Sequence, residues 1–150
     1  MGQSLVNNYI HIIFSTKLHK PLIHPSIEGE LHRYLGAICN KLGCQVIIVG
    51  GHTNHIHILC MLSKKIPLMK LMEELKSHSS KWIKTKGDQY RNFYWQNGYG
   101  VFSVNPSETK DLFVYITNQN EHHRKQTFPD EYRNFLEKYN IEYNEEYLWD

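Results

Sequence analysis

The sequence predicts an α+β domain in which an antiparallel sheet carries two helices on one face. Runs rich in β-branched and aromatic residues alternate with segments whose apolar residues recur at helical spacing. These segments follow one another in the order β-α-β-β-α-β-α. The first six elements are those of the ferredoxin-like split βαβ unit, and the last is an additional C-terminal helix. Because this architecture carries many functions, the fold class alone does not identify one.

The first half of the domain is predicted to hold three strands and one helix. Tyr9–Thr16 is rich in β-branched and aromatic residues and forms the first strand. Ser26 can cap a helix whose apolar positions recur as far as Leu42. Gln45–Val49 and His55–Leu62 are short apolar runs separated by a glycine pair, so we expect them to form a hairpin.

The second half is predicted to hold two helices and one strand before a short C-terminal tail. Pro67 begins the clearest helix, which has one apolar stripe. Phe93–Val104 is predicted to be an extended strand with a bulge near its two glycines. Ser107 can cap a helix of about 18 residues that runs to Lys125.

Length and composition exclude several classes of protein. A chain of 150 residues and 17.8 kDa fits a single domain spanning residues 1–150. Its content of 41% hydrophobic and 21% charged residues is that of a globular chain rather than a disordered or collagen-like one. The longest apolar runs are far shorter than the roughly 20 residues that cross a bilayer, so we expect no membrane partner.

The N-terminus and the cysteines predict a cytoplasmic protein. The N-terminus shows no basic region followed by a long apolar stretch, as a signal peptide would have. Three cysteines make an odd number without Cys-x-x-Cys spacing, which argues against a disulfide framework and against a cysteine-ligated zinc site. They are expected to be buried thiols in a reducing compartment.

Charge is unevenly distributed along the chain. Residues 64–91 contain eight Lys and Arg against three acids, whereas residues 129–150 contain two bases against seven acids. A basic segment beside an acidic tail suits a protein that offers one face to a polyanion, although a solvated helix face explains the lysines equally well. If the polyanion is a nucleic acid, the side chains expected at its phosphates are Lys76, Lys81, Lys84 and Arg91.

The segment His55-Ile56-His57 is the first candidate for chemistry. In a strand, residues i and i+2 point to the same face, so both imidazoles project together while Ile56 faces the core. Two neutral imidazoles in this arrangement can hold a divalent cation. Taken alone, such a pair more often consists of two polar side chains that are simply exposed to solvent.

The second candidate is Tyr115 with Gln119. Their spacing of four residues places them on one face of a helix, and His122 continues that face. A tyrosine hydroxyl can act as a nucleophile in phosphoryl transfer, and a glutamine carbonyl oxygen can bind a hard cation. The alternative is that Tyr115 simply packs into the core beside Leu112 and Ile116.

Together the two candidates resemble the single-tyrosine HUH transposases of small bacterial insertion sequences, the IS200-like transposase family. The resemblance extends over nearly the whole chain. The segments that carry it are Gly50–His57, Lys76–Trp82, Trp95–Val104, Tyr115–His123 and the tail Glu142–Asp150.

The resemblance implies a metal-dependent enzyme that cleaves and rejoins single-stranded DNA at the ends of a mobile element. His55, His57 and Gln119 would hold Mg²⁺ or Mn²⁺, and Tyr115 would form a 5′-phosphotyrosine. The family implies a DNA hairpin at each element end as the partner, and a homodimer in which the tyrosine helix of one subunit often serves the histidines of the other.

Two other functions remain open on the sequence. A non-catalytic module that binds single-stranded nucleic acid would explain the basic segment but not the two histidines with Tyr115 and Gln119. A metal-dependent phosphodiesterase that uses water would need the cation but not the tyrosine.

Overall fold

The computed structural model describes residues 2–150, which form four strands and five α-helices. Short 3₁₀ turns lie at Lys17–His19, Asp88–Tyr90 and Pro106–Glu108. In chain order the main elements are β1 (Tyr9–Ser15), α1 (Pro25–Lys41), β2 (Val46–His52), β3 (His55–Met61), α2 (Leu68–Lys84), β4 (Gly100–Ser103), α3 (Thr109–Thr117), α4 (Gln119–His122) and α5 (Phe128–Lys138).

The four strands form one antiparallel sheet in the order β2-β3-β1-β4. This arrangement confirms the predicted α+β class and the hairpin of β2 with β3. In that hairpin, His52 pairs with His55 and Gly50 pairs with His57. β3 therefore lies inside the sheet, with β2 on one side and β1 on the other.

Alternation along the strands separates the two faces of the sheet. On one face, apolar residues of β1 and β3 such as Ile12, Phe14 and Ile58 form the main core with α1 and α2. The other face carries the intervening residues, including His55 and His57, and is covered by α3, α4 and α5. The fold therefore buries the histidine pair beneath the C-terminal helices.

The predicted helix from Ser107 to Lys125 is interrupted in the structure. A 3₁₀ turn at Pro106–Glu108 precedes α3, and the side chain of Asn105, rather than Ser107, caps this turn by accepting from the Ser107 N–H. α3 ends at Thr117, and α4 begins at Gln119 after a break at Asn118. Asn favours non-helical backbone because its side chain competes for local hydrogen bonds, which a count of apolar positions does not detect.

Two other predicted boundaries differ from the structure. His24, and not Ser26, caps α1, because its Nδ1 accepts from the Ser26 N–H and Pro25 occupies the first turn. The predicted strand Phe93–Val104 is regular only at Gly100–Ser103. Within it, Trp95 forms an isolated bridge to Thr16, directly after β1, and is buried, with its indole N–H donating to the Ser79 hydroxyl.

The C-terminal tail contacts both α5 and the segment before β4, and so holds α5 against the sheet. The backbone N–H of Asn97 donates to the carbonyl oxygen of Asp150 at 2.6 Å, and Trp149 packs near Tyr132 and Phe128 of α5. Arg133 of α5 also forms an ion pair with Glu145. These contacts hold α5 over the face that carries the histidines.

Two further expectations concern cysteines and membranes. All three cysteines are free and buried, as the sequence predicts. Within residues 2–150, no helix has both the length and the apolar character needed to cross a membrane.

We predict that Gly50→Ala weakens the packing of α3 on the sheet. A Cβ atom at Gly50 would lie 2.6 Å from Cγ2 of Ile116 and 2.7 Å from its carbonyl oxygen, so the helix backbone would have to move. The expected loss in the free energy of unfolding is about 1–3 kcal/mol, measured by urea denaturation.

Gly29→Ala is the matched control for this prediction. A Cβ atom there meets only the flexible end of Arg33 at 3.5 Å, and alanine has the higher helix propensity. This variant should be as stable as the wild type or more so. Equal stability of the Gly50 variant and the wild type would contradict the close contact described.

Candidate active site

Four buried polar side chains meet under the C-terminal helices. β3 supplies His55 and His57, α4 supplies Gln119 and α5 supplies Glu131, and each is at most 2% exposed. The ligand atoms of His55, His57 and Glu131 all lie within 4.8 Å of one another. This group of nitrogen and oxygen ligands has the size and chemistry of a metal site.

The carboxylate of Glu131 is the centre of the cluster. Its Oε1 lies 3.1 Å from Nε2 of His57, 3.2 Å from Nε2 of His123 and 3.4 Å from Nε2 of His55. Its Oε2 accepts from the hydroxyl of Tyr115 and from Nε2 of Gln119, the latter at 3.2 Å. One carboxylate therefore joins the imidazoles to the tyrosine.

Hydrogen bonding outweighs burial at Glu131. Burial alone would raise the pKa of this carboxyl, but hydrogen bonds from His123 and His57 hold it far below its usual range. At His55, burial lowers the pKa well below its ordinary value, and the neighbouring His57 lowers it further. The cluster therefore combines an ionised carboxylate with a neutral imidazole.

Tyr115 reaches this cluster from α3. Its ring stacks on His122 at a centroid distance of 4.2 Å and meets Phe135 edge to face. Burial, followed by the negative charge of Glu131, raises the pKa of Tyr115 well above its usual value. In this arrangement the side chain is a neutral phenol whose hydroxyl donates to Glu131.

The hydrogen bonds around His55 test whether the residues fit a metal ion. Nδ1 of His55 lies 2.8 Å from Oδ1 of Asn54, and the Asn54 amide is oriented by its donation to the His19 carbonyl. Nδ1 must therefore carry the proton of the neutral ring, which leaves a lone pair on Nε2. That lone pair faces Oε1 of Gln119 at 2.8 Å and Oε1 of Glu131 at 3.4 Å.

A lone pair opposite two oxygen acceptors is unfavourable unless a cation lies between them. The imidazole, carboxylate and amide groups are all metal ligands, and the carboxylate is already ionised. The residues present therefore fit a divalent metal ion.

Two clefts border the cluster. One, of about 560 Å³, opens beside Tyr115 and Glu131 and is lined by Leu112, Phe135 and Tyr139 together with acidic Asp111 and Glu108. The other, of about 600 Å³, is basic in character and includes His52, His123, Arg124 and Lys125. Gln126 lines both clefts, so the two clefts adjoin at this residue beside the cluster.

The structure brings together the four residues that the sequence singled out for chemistry. His55, His57, Gln119 and Tyr115 of a single chain all contact Glu131 or lie within 3.4 Å of it. The break at Asn118 does not separate Tyr115 from Gln119, because both side chains still reach the same carboxylate.

The basic residues predicted to bind nucleic acid lie elsewhere. α2 packs on the opposite face of the sheet, so Lys81 and Lys84 are remote from the histidines. Arg91 is 75% exposed and follows the 3₁₀ turn after α2. Nζ of Lys84 lies 4.5 Å from the ring centre of Tyr94, an exposed aromatic residue.

Lys76 is engaged within the fold. Its Nζ donates to the carbonyl oxygens of Gln96, Asn97 and Gly98 at 2.6–3.2 Å, which accounts for all three of its N–H donors. Burial lowers the pKa of Lys76 to about 8. In this structure Lys76 positions the segment that leads into β4.

Sequence reasoning missed Glu131, the residue on which the cluster depends. The signal that could have found it is its position on α5, three residues after Phe128 and four before Phe135, on the apolar side of the helix. A carboxylate on a buried helix face needs a partner, which points to a polar site. His123 also belongs to the cluster, because its Nε2 bonds both Glu131 and Gln119.

The ferredoxin-like sheet, the buried histidine pair and the tyrosine held beside it fit the class of DNA-processing enzyme that the sequence resembles. The family model described as "Transposase IS200 like" matches residues 4–119, which is more than half of the chain. The protein belongs to this family of transposases, and the resemblance drawn from its sequence is confirmed.

Solved structures show the same fold. A candidate transposase from Deinococcus radiodurans R1 is similar with a TM-score of 0.61 and 19% identity, over 79% of this chain and 96% of the other. A REP-associated tyrosine transposase bound to a REP hairpin is similar with a TM-score of 0.60 and 11% identity, over 82% of this chain and 73% of the other. No curated protein matches the chain.

We predict that Glu131→Gln destabilises the protein in the absence of metal. An amide offers one oxygen where the carboxylate offers two, so either the imidazoles or Tyr115 would face an N–H group instead of an acceptor. Leaving buried donors unsatisfied should lower the free energy of unfolding by about 1–3 kcal/mol, measured by denaturant titration with chelator present.

Glu121→Gln is the matched control, because Glu121 is 66% exposed on α4 and pairs only with Arg124 at the surface. Its effect should stay within about 0.5 kcal/mol. If the two variants lost equal stability, Glu131 would not have the central role that its contacts indicate.

Proposed function

We propose that this protein cleaves and rejoins single-stranded DNA at the ends of a mobile element through a covalent bond to Tyr115. The observation that carries the proposal is the shared carboxylate: Glu131 contacts the hydroxyl of Tyr115 through one oxygen and the imidazoles through the other. Tyr115 and the candidate metal ligands thereby lie side by side in one chain, which supports the proposal.

In the proposed reaction, the hydroxyl oxygen of Tyr115 attacks the scissile phosphorus in line with the leaving 3′ oxygen. The new bond is a 5′-phosphotyrosine, the bond to the 3′ oxygen breaks, and the net reaction transfers the phenolic proton to that 3′ oxygen. A free 3′-hydroxyl results. Because one phosphodiester replaces another, rejoining needs no external energy source, which separates a strand transferase from a nuclease.

The ligands proposed for the metal are His55, His57 and Gln119, to which the structure adds Glu131. Mg²⁺ or Mn²⁺ bound there would polarise the scissile phosphate and offset the charge of the transition state. The residues themselves contribute the orientation. Asn54 fixes the ring of His55, and Glu131 fixes the hydroxyl of Tyr115 next to the cluster.

The two clefts suggest how a single strand passes the site. Arg124 and Lys125 give the cleft beside His52 and His123 positive charge, which suits a phosphate backbone. The cleft beside Tyr115 is acidic and has aromatic walls, which suits bases better than phosphates. The strand would cross from one cleft to the other at the cluster, where the scissile phosphate meets Tyr115.

We propose that Lys81, Lys84 and Arg91 bind the hairpin rather than the strand that is cleaved. The position of these three residues supports this proposal, because α2 and the turn after it lie on the opposite face of the sheet from the site. The exposed ring of Tyr94 beside Lys84 adds a surface for an unpaired base. A homodimer is part of the proposal, because moving an element requires cleavage at two ends and each chain offers one Tyr115.

We predict that Tyr115→Phe abolishes the covalent protein–DNA product. The measurement is incubation of hairpin-bearing single strands with Mn²⁺, followed by a denaturing gel. The phenylalanine ring keeps the packing against His122 and Phe135 but removes the attacking oxygen. Tyr147→Phe, at a residue that is 63% exposed, is the matched control and should form the product at the wild-type level.

The same gel, together with hairpin binding measured by fluorescence anisotropy, separates the three functions considered. Cleavage that survives Tyr115→Phe without a covalent band would identify a hydrolase that uses water. Binding of the hairpin by wild-type protein without cleavage of any tested strand would identify a binding module. Either result would contradict the proposed transposase chemistry.

We predict that substitutions on α2 weaken binding of the hairpin, whereas substitutions in the cleft at Arg124 and Lys125 slow cleavage. Lys81→Gln with Lys84→Gln should reduce the slope of log affinity against log salt by about 0.9 for each lysine that contacts a phosphate of the hairpin stem. Arg124→Gln with Lys125→Gln should chiefly slow cleavage of the single strand, because these residues line the cleft at the site. Hairpin affinity is measured by fluorescence anisotropy across a salt series.

The two double variants serve as controls for each other, because each removes two positive charges. Equal effects of both on hairpin affinity and on cleavage would mean that net charge alone is responsible. That outcome would contradict the division of the DNA between two surfaces.

A further inference from the structure

A third histidine, His11 of β1, is buried behind the candidate metal site. Its side chain is fully buried, and its Nε2 lies 2.8 Å from Nδ1 of His57. The two rings stack at a centroid distance of 5.0 Å. Across residues 2–150 no group bonds the Nδ1 of His11, so His57 is its hydrogen-bond partner.

We infer that His11 positions His57 for metal binding. When a metal ion takes the place of the proton that His57 shares with Glu131, His11 accepts a hydrogen bond from Nδ1 of His57, so that the Nε2 lone pair of His57 points into the cluster. The inference rests on the proposed metal-dependent function. It makes His11 a positioning residue, since no contact joins it to Tyr115 or to Oε1 of Glu131.

The surroundings of His11 are hard to explain by packing alone. Phe135 lies edge to face at 5.1 Å and Phe102 at 6.1 Å, so the pocket is largely aromatic. Burying an imidazole with one unbonded nitrogen in such a pocket costs free energy that an apolar side chain would not cost. The hydrogen bond between His11 and His57 is the interaction that offsets this cost.

His55 shows the same arrangement with a different partner. Nδ1 of His55 donates to Oδ1 of Asn54, and this bond fixes which nitrogen carries the proton. Nδ1 of His57 is directed at Nε2 of His11 in the equivalent way. Each member of the pair thus has a partner behind it, and such partners usually orient a ligating imidazole and strengthen metal binding.

His11 differs from Asn54 in one chemical respect. An amide oxygen can only accept, whereas a neutral imidazole nitrogen can accept or donate according to where its proton lies. Because Nδ1 of His11 is unbonded, it can carry the proton while Nε2 accepts from His57. In the opposite arrangement Nε2 of His11 donates, and the proton of His57 moves to Nε2, where it faces Glu131 at 3.1 Å.

Three substitutions at His11 separate the hydrogen bond from packing. Glutamine places an amide group about as far from the backbone as Nε2, so His11→Gln should preserve an acceptor for His57. Asparagine is polar but too short, and leucine is apolar. The probe is Mn²⁺ alone, with free Mn²⁺ measured by electron paramagnetic resonance, and Glu131→Gln serves as the reference for loss of a direct ligand.

We expect His11→Leu and His11→Asn to raise the Mn²⁺ dissociation constant roughly 10- to 100-fold, as loss of a supporting partner does elsewhere, and His11→Gln to recover most of it. Thermal unfolding with chelator present checks that each variant is folded. If His11→Leu does not fold, the comparison of the Gln and Asn variants decides, since both are polar.

Two results would overturn the inference. One is wild-type Mn²⁺ affinity in folded His11→Leu or His11→Asn, whatever their stability. The other is an affinity of His11→Gln as weak as that of the Asn variant. Wild-type protein that binds no Mn²⁺ would overturn the proposed metal site together with this role. Wild-type protein that binds Mn²⁺ but still cleaves after Tyr115→Phe would overturn the tyrosine chemistry alone and leave the role of His11 to be decided by the Mn²⁺ affinities.

Discussion

The buried carboxylate of Glu131 is the interaction on which the site depends. An ionised carboxylate without partners could not remain in a closed interior, because its desolvation would cost more than the fold can supply. Here its two oxygens share the imidazoles of His57 and His123, the amide of Gln119 and the hydroxyl of Tyr115. Removing it would leave those groups without a common acceptor.

The placement of Glu131 explains why the C-terminal segment is built as it is. α5 must lie with one side against the sheet, and glycine at position 100 permits this because a Cβ atom there would lie 2.8 Å from the ring of Tyr132. Phe128 stacks on His55 one turn before Glu131, with ring centroids 4.3 Å apart. The tail then adds the Asp150 bond to Asn97 and the packing of Trp149. Each contact restricts the position of α5 and hence of its carboxylate.

Much of the fold could be predicted because its elements follow from local pattern. The alternation of β3 placed His55 and His57 on one face whatever the tertiary structure, and the spacing of Tyr115 and Gln119 kept them together despite the break at Asn118. The break itself and the short β4 could not be predicted, because neither leaves a mark on the periodicity of apolar residues. The bond of Lys76 to three carbonyls is equally a product of the folded loop.

Two residues of the site, Glu131 and His11, belong to no motif that the sequence displays. Glu131 lies beyond residues 4–119, the part of the chain that the family model matches, and between the segments Tyr115–His123 and Glu142–Asp150 that also carried the resemblance. No motif therefore pointed to it. His11 lies within that range, yet 46 residues separate it from His57 and only the pairing of β1 with β3 brings them together. Sequence spacing reveals ligands that share one element. Groups that support those ligands come from neighbouring elements, and they become visible only when strand register and helix placement are known.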